Sequence, residues 1–150
     1  MRYQINNGIS EHTMGLISIK HIEHRTLILE TNGSKYSKAS PLQLIEHACL
    51  KYGSTYDGRR KAATYMTGIR LKTPIGINPA RNIYAFPTHS PQKFECNWIF
   101  PQHVQRIRRN GKYSMITFTN DKDWEIEVSY FTLEKQLHRA AYCFTKSFSL

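Results

Sequence analysis

Residues 54–61 read Ser-Thr-Tyr-Asp-Gly-Arg-Arg-Lys and combine hydroxyl groups, a glycine and three consecutive cations. The pattern that follows predicts that Arg59, Arg60 and Lys61 lie in the first turn of a helix, where the helix dipole disfavours cations by about 0.3 to 1 kcal/mol each. A phosphate bound there would contact free amides and cations together. The predicted phosphate-binding residues are Ser54, Tyr56, Gly58, Arg59, Arg60 and Lys61. The alternative is that Asp57 offsets the charge and the basic residues are solvated.

A second basic segment, residues 106–112, contains Asn110-Gly111, a sequence that favours a two-residue hairpin turn. Its predicted DNA-binding residues are Arg106 and Arg108 on one strand face, Arg109 beside the turn, and Lys112 at the start of the return strand. A cationic tip of this kind fits a narrow minor groove, where A-tract DNA concentrates negative potential. The alternative is an edge hairpin that its charge keeps soluble.

Acidic residues alternate with apolar ones between positions 121 and 128. The acidic positions are Asp121, Asp123, Glu125 and Glu127. On one strand face they would suit a magnesium-dependent nuclease, but a half-buried strand with a solvated acidic face gives the same pattern. The chain has no P-loop, GxSxG or HExxH motif, and we predict no catalytic residue and no metal ligand.

These segments need a scaffold of strands and helices. Strands are expected over residues 14–19, 26–30, 83–86, 98–100, 103–109, 112–119 and 124–128, with a first hairpin turn at Asn32-Gly33. A first helix should begin after Ser40, carry Pro41 in its first turn, end near Gly53, and bury Leu42, Ile45, Cys49 and Tyr52. A second helix is expected over about 57–67, with Ala62, Tyr65, Met66 and Ile69 on its inner side.

A third helix is expected over about 132–144. It should bury a stripe of Leu133, Leu137, Ala140, Ala141 and Phe144. The apolar positions continue to Phe148, so either this stripe packs on the protein's own sheet or Phe144 and Phe148 face a second copy. The elements together predict an α+β fold, a single domain over residues 1–150 with a largely antiparallel sheet and about three packed helices.

Composition narrows the class of protein. The 150 residues carry 21 Lys and Arg against 11 Asp and Glu, a formal net charge of +10 that favours a polyanionic partner. Apolar runs are too short for a membrane span or a secretory signal, so we expect a cytoplasmic protein without membrane attachment. The three cysteines cannot all pair and form no CxxC motif, which disfavours a disulfide framework or a zinc site.

Residues 52–65, YGSTYDGRRKAATY, resemble the YGSSYxGRKxxT hallmark of the competence transcription factor (ComK) family of Gram-positive bacteria. The resemblance continues through PI at 74–75, IYAFPTHSP at 83–91, CNWI at 96–99, HV at 103–104, VSY at 128–130 and QLHRAAY at 136–142. It therefore covers roughly residues 36–145.

The resemblance implies an activator that switches on genes for DNA uptake and recombination. It implies recognition of paired AT-rich boxes in double-stranded DNA, largely through the minor groove, by dimers that associate further and bend the DNA without a cofactor. The family's basic motif falls on Gly53, Ser54, Tyr56, Gly58, Arg59 and Lys61, with Thr55 where Ser is usual.

Two departures limit what the resemblance implies. The 106–112 segment varies in the family, and family members commonly continue well beyond the last helix, so this sequence, which ends at Leu150, is expected to lack their C-terminal extension. Two alternatives stay open: a non-specific nucleic-acid-binding protein or remnant regulator without activation function, and, more distantly, a metal-dependent nuclease.

Overall fold

The computed structural model describes residues 8–147. Its strands are β1 (Thr13–Ser18), β2 (Thr26–Glu30), β3 (Gly33–Ser37), β4 (Ile75–Asn78), β5 (Ile83–Pro87), β6 (Trp98–Ile99), β7 (Val104–Asn110), β8 (Tyr113–Phe118) and β9 (Asp123–Ile126). Its helices are α1 (Pro41–Lys51), α2 (Tyr56–Thr67) and α3 (Tyr130–Ser147). Short 3-10 turns precede β5 and β7.

Six strands form the larger sheet, in the order β3-β2-β1-β6-β5-β4, and β7, β8 and β9 form a smaller one. Neighbouring strands pair antiparallel throughout. The large sheet is completed where Gly15 and Leu16 of β1 pair with β6, late in the chain. The predicted α+β class, with a largely antiparallel sheet and three helices among the described residues, is confirmed.

Successive residues of a strand point to opposite faces of its sheet, and here both faces are buried. Leu16 and Trp98 point to one face, whereas their neighbours Ile17 and Ile99 point to the other. The first core lies under α1 and includes Leu16, Ile28, Leu44, Ile45, Ala48, Ile75, Ile77 and Trp98. The second core lies under the small sheet and α3 and includes Ile17, Leu29, Phe86, Ile99, Ile116, Phe118, Ile126 and Leu133.

Helix α1 forms as predicted. The Ser40 hydroxyl accepts a hydrogen bond from the Gln43 amide at 3.2 Å, and the Gln43 side chain accepts one from the Ser40 amide at 2.8 Å, which is a complete capping box. Of the predicted inner face, Ile45 and Cys49 are fully buried. The remaining two members, Leu42 and Tyr52, are partly buried against the first core.

The first predicted hairpin forms, with its turn displaced by one residue. Glu30 pairs with Gly33, so Thr31 and Asn32 form the turn instead of Asn32-Gly33. Strand β4 has no counterpart in the prediction, because the Pro-rich segment around it contains only two apolar residues, Ile75 and Ile77, to indicate a strand.

Helix α3 buries a different stripe from the predicted one. The buried positions are Leu133, Gln136, Ala140 and Cys143. Leu137 and Phe144 are only partly buried and Ala141 is exposed, while Phe148 lies outside the described residues. The prediction considered apolar residues alone, whereas the stripe contains a polar side chain that is 1% exposed, Gln136.

Burial of Gln136 is possible because its amide is fully hydrogen-bonded. Its Nε2 donates to the carbonyl oxygens of Lys72 at 2.9 Å and Pro87 at 2.7 Å. Its Oε1 accepts from Arg139 at 2.6 Å, and Arg139 also donates to the Leu71 carbonyl at 2.7 Å. This network fastens α3 to the segment after α2 and to the end of β5.

The three cysteines, Cys49, Cys96 and Cys143, are buried and free. Burial raises the pKa of both Cys49 and Cys96 to about 11, so these thiols stay protonated at neutral pH. Within residues 8–147, none of the helices has the length and apolar composition to cross a membrane.

Candidate nucleic-acid interface

The turn between α1 and α2 places the first basic segment. The chain leaves α1 through Gly53, whose φ of +86° lies in the left-handed region that favours glycine. The Gly53 amide donates to the Leu50 carbonyl at 3.0 Å and the Ser54 amide donates to the Cys49 carbonyl at 2.9 Å. The motif therefore contains a glycine at position 53 because α1 ends there. We call residues 53–61 the α2 corner.

Thr55 caps helix α2. Its backbone is extended, and its hydroxyl accepts a hydrogen bond from the Gly58 amide at 2.9 Å. A Cβ atom on residue 58 would lie 2.9 Å from the Thr55 Oγ1, closer than side chains normally approach. Glycine at position 58 thus leaves room for the cap and leaves the backbone of the first turn open to an approaching group.

The three cations lie one residue further into the helix than predicted. Helix α2 begins at Tyr56, and the Arg59 amide already makes an intrahelical bond to the Thr55 carbonyl at 2.9 Å. Arg59, Arg60 and Lys61 therefore follow the first turn, which holds Asp57 instead. The prediction that these cations occupy the first turn, in conflict with the helix dipole, is wrong.

Asp57 is a local counter-ion for two of the cations. Its carboxylate contacts Arg60 at 2.6 Å and Lys61 at 3.1 Å. Hydrogen bonds from Arg60 and Lys61 lower the pKa of Asp57 below its usual value. Asp57 also suits the helix start electrostatically. The Lys61 side chain is nevertheless 71% exposed, so it can exchange this partner for a phosphate.

Tyr56 and Arg59 are directed toward the protein interior. The Tyr56 ring packs edge-on against Trp98 at 6.3 Å, and burial raises the pKa of its hydroxyl to about 12. The Arg59 Nε is buried and has no hydrogen-bond partner among the described residues. The positive charge of Arg59 acts on the buried Cys49 thiol and the Tyr84 hydroxyl and lowers their pKa values against the larger effect of burial. Both side chains therefore hold α2 in place.

The face of α2 that the sequence predicted to be buried is largely exposed in the structure. Ala63 is the buried residue of this helix, while Ala62 is exposed and Tyr65 is 92% exposed. Met66 is also exposed, and Ile69 lies beyond the helix and is partly buried. The inner-face prediction is therefore wrong. The prediction failed because the inward-facing side of α2 contains a tyrosine, an arginine and a threonine, and a search for apolar residues at helical spacing does not find them.

Sequence reasoning also missed Tyr65 as a surface residue. It follows Lys61 by four residues, so the two side chains are neighbours on one helix face. A phenol beside an ammonium group can contact a sugar and a phosphate together. The available signal was the Thr55 cap, which sets where the helix begins and hence which residues face outward.

The second basic segment forms the predicted hairpin of β7 and β8, again with a displaced turn. Asn110 pairs with Tyr113, so Gly111 and Lys112 form the turn, and Gly111 has a φ of +63°. Lys112 therefore lies in the turn instead of beginning the return strand. Its ammonium group lies 5.1 Å from the centre of the Tyr113 ring.

Strand β9 supplies acidic partners to two residues of this hairpin, one of them a cation. Arg108 contacts Asp123 at 3.0 Å, and Asn110 donates to Glu125 at 2.5 Å. A hydrogen bond from Thr117, with the positive charge of Arg108, lowers the pKa of Asp123 below its usual value. On the opposite strand face, Arg109 lies 4.7 Å above the Tyr130 ring. Arg106 is exposed on the same face as Arg108.

The acidic segment is shorter as a strand than predicted. Strand β9 covers Asp123–Ile126, so Asp123 and Glu125 share its exposed face. Asp121 lies in the preceding turn with a φ of +66°, and Glu127 follows the strand. Within residues 8–147, no group of three or more histidine, cysteine or acidic side chains is arranged to hold a metal ion.

The structure separates the two basic segments. Tyr56 of the α2 corner packs against the first core, whereas Val104 and Ile107 of the hairpin pack against the second. These cores lie on opposite faces of the large sheet. The predicted site residues are thus brought together within each segment and kept apart between them.

The family model described as ComK protein matches residues 4–148. The competence transcription factor of Bacillus subtilis (strain 168) is 37% identical over 121 residues, which cover 79% of this chain and 62% of that protein. The chain thus matches less than two thirds of the length of this curated relative. No solved structure matches the chain.

Proposed function

This chain belongs to the ComK protein family, and from that premise we propose that it is a DNA-binding regulator that activates transcription of competence genes. The observation that carries the proposal is the similarity to a protein described as a competence transcription factor. The α2 corner supports it, because it presents Arg60 and Lys61 just after the first turn of an exposed helix start. A net charge of +10 supports a polyanionic partner. Such a regulator acts in the cytoplasm, where bacterial DNA is found.

The proposed ligand is double-stranded DNA, read at AT-rich boxes mainly through the minor groove. The α2 corner is the principal contact: Arg60 and Lys61 neutralise phosphates, and Ser54 and the open backbone at Gly58 allow close approach. Tyr56 and Arg59 hold the helix that carries these groups. The hairpin residues Arg106, Arg108, Arg109 and Lys112 form a second, weaker contact, since Asp123 already pairs with Arg108 and two aromatic rings already engage Arg109 and Lys112.

The experiment measures duplex binding as a function of salt concentration. If about five phosphates are neutralised per copy, log K falls with log salt with a slope of about −4 to −5. A slope near zero would contradict electrostatic recognition by the basic segments. Incubation with plasmid and magnesium is the companion control, and cleavage abolished by Asp123→Asn would favour a nuclease instead.

Groove choice is tested by base substitution. Replacing A·T pairs of a bound site with I·C pairs changes the major-groove face and leaves the minor-groove face largely unaltered. Affinity is therefore expected to survive the exchange and to fall when distamycin occupies the minor groove. Loss of binding on I·C substitution, together with indifference to distamycin, would contradict minor-groove reading.

We further propose that the protein binds DNA as a homodimer. Paired boxes require two copies at a fixed spacing. An apolar groove of about 410 Å³ runs along α3 and is lined in part by Leu137, Ala141 and Phe144, the positions of the predicted stripe that stay partly exposed. Ala141→Glu should leave the fold intact, give a monomer in sedimentation, and weaken binding to a double box more than to a single box. A variant that remains dimeric would exclude this groove as the interface.

A further inference from the structure

The loop between β1 and β2, residues 19–25, presents an unusual apolar side chain. Ile22 at its tip is 97% exposed, the highest value among the large exposed apolar residues that the structure describes. An isoleucine held in water gives up the stabilisation that its burial would provide. A site elsewhere that receives this side chain would recover part of it.

The loop is held in a defined shape. The His21 Nδ1 accepts hydrogen bonds from the amides of Glu23 at 3.0 Å and His24 at 3.2 Å, which curls the backbone around Ile22. The rings of His21 and His24 lie 5.0 Å apart, and both stack on Tyr36, at 5.8 Å and 5.0 Å. This arrangement supports the base of the loop and directs Ile22 outward, so little ordering entropy remains to be lost on binding.

The surroundings of Ile22 indicate what would bind it. Lys20, Arg25 and Lys38 are exposed around the same loop, and Glu23 is its acidic residue. A protein partner needs a contiguous apolar patch, whereas Ile22 is a single apolar side chain among charged and aromatic polar ones. A duplex offers phosphates for the cations and a base step into which one aliphatic side chain fits.

The loop contacts the helix that leads to the α2 corner, because the Arg25 guanidinium donates a hydrogen bond to the Gln43 side chain at 3.5 Å, in the first turn of α1. Ser18, at the end of β1, hydrogen-bonds to Asn97 at 2.9 Å and to the Phe94 carbonyl. Helix α1 has 11 residues and spans about 16 Å from this contact to the corner. This distance is less than one helical turn of DNA, so a duplex bound at the corner is long enough to reach the loop.

We propose that Ile22 is a wedge that inserts between neighbouring base pairs from the minor groove while the cations around it contact the flanking phosphates. This inference rests on the proposed function and assigns a role to a residue outside the basic segments. Insertion of an aliphatic side chain unstacks one base step and kinks the duplex toward the major groove. Bending by this protein thus depends on one side chain at the β1–β2 loop.

The test compares Ile22→Ala with Leu71→Ala, a matched control that shortens another exposed aliphatic side chain. The probe is an AT-rich duplex that carries 2-aminopurine at successive steps and a fluorophore pair at its ends. With the wild-type protein and the control, 2-aminopurine should brighten at one step and the ends should approach. Ile22→Ala should lose both signals at saturation and bind about tenfold more weakly, as expected when two to three methylene groups lose partial burial. Ile22→Leu should restore both signals.

Failure of the wedge and failure of the proposed function give different results. If wild-type protein does not bind the duplex at all, the proposed function fails and the wedge with it. If wild type and Ile22→Ala bind with the same affinity, the same brightening and the same end-to-end distance, DNA binding stands and the wedge is excluded. Binding of anionic phosphatidylglycerol vesicles that depends on Ile22, with unaltered DNA bending, would assign the loop to a membrane surface and overturn the proposal.

Discussion

The α2 corner and the β7–β8 hairpin carry similar positive charge but neutralise it differently. In the corner one carboxylate, Asp57, lies one turn before Arg60 and Lys61 and contacts both. In the hairpin Arg108 has Asp123 of another strand to itself, and Arg109 and Lys112 lie over aromatic rings. Because Arg60 and Lys61 share one carboxylate, this group keeps a net positive charge, whereas the charge of Arg108 is neutralised by its own partner. Counting basic residues in the sequence therefore overestimates the contribution of the hairpin to DNA binding relative to that of the α2 corner.

The largest expected effect tests this ranking directly. Neutralising Arg60 and Lys61 together by glutamine should weaken duplex binding at 0.1 M salt by roughly 60-fold, because each lost phosphate contact accounts for about 8-fold. The matched double variant of the hairpin, Arg108→Gln with Lys112→Gln, should lose less than about 8-fold. Fluorescence anisotropy titration measures both. Equal losses of affinity, or a larger loss for the hairpin variant, would contradict the ranking of the α2 corner above the hairpin.

Glycine substitutions separate the positioning of each segment from its charge. Gly53 and Gly111 both have positive φ, so alanine at either position should lower stability by about 1 to 2 kcal/mol. Gly53→Ala should also weaken DNA binding, since Gly53 fixes where α2 begins, whereas Gly111→Ala should leave affinity nearly unchanged. Urea unfolding and anisotropy give the two quantities. A large affinity loss for Gly111→Ala alone would make the hairpin tip the principal contact.

A third pair of variants ranks the cations within the corner. Lys61→Met should make the salt slope shallower by about 0.9, the value of one phosphate contact. Arg59→Met should change the slope less and leave the melting temperature unchanged or higher, because methionine keeps the packing and removes a buried Nε without a hydrogen-bond partner among the described residues. If Arg59→Met alters the slope as much as Lys61→Met, then Arg59 reaches the DNA backbone.

The smallest effects concern the counter-ions. Both Asp57 and Asp123 have a lowered pKa in the folded protein. Each carboxylate therefore stabilises the fold above its unfolded pKa near 4, and this contribution is lost as the pH falls through the lower folded value. Asparagine at either position should flatten the fall in melting temperature between pH 5 and 3. Asp57→Asn should also strengthen DNA binding about two- to fivefold, and Asp123→Asn should not.

Contacts between residues close in sequence made the helices and strands predictable. Contacts between residues distant in sequence determine which side chains face inward and which cations are paired. Ser40 and Pro41 fix the start of α1 through contacts within four residues, so this helix was predictable. The inward stripe of α3 depends on Gln136, whose partners Lys72 and Pro87 are distant in sequence. The spacing of apolar residues in a sequence does not indicate a contact of this kind. The pairing of Arg108 with Asp123 across β8 escaped prediction for the same reason.

Many residues of the family motifs lie in the interior of the protein or position its helices, and only some lie on its surface. Tyr56 packs on Trp98, Gly53 ends α1, and Gln136 and Arg139 fasten α3. A resemblance carried by these residues predicts the fold strongly and the DNA contacts weakly. Lys61 belongs to the same motif and is exposed, whereas Ile22 lies outside every matched motif.

The order of the large sheet has a consequence for synthesis on the ribosome. β2 pairs with one edge of β1 at once, but the other edge awaits Trp98 and Ile99, about 80 residues later in the chain. At a translation rate of about 5 to 20 residues per second, that edge stays open for about 4 to 16 s. During this interval the unpaired backbone and apolar side chains of β1 can pair with another nascent chain. A chaperone that shields such edges should therefore raise the yield of folded protein.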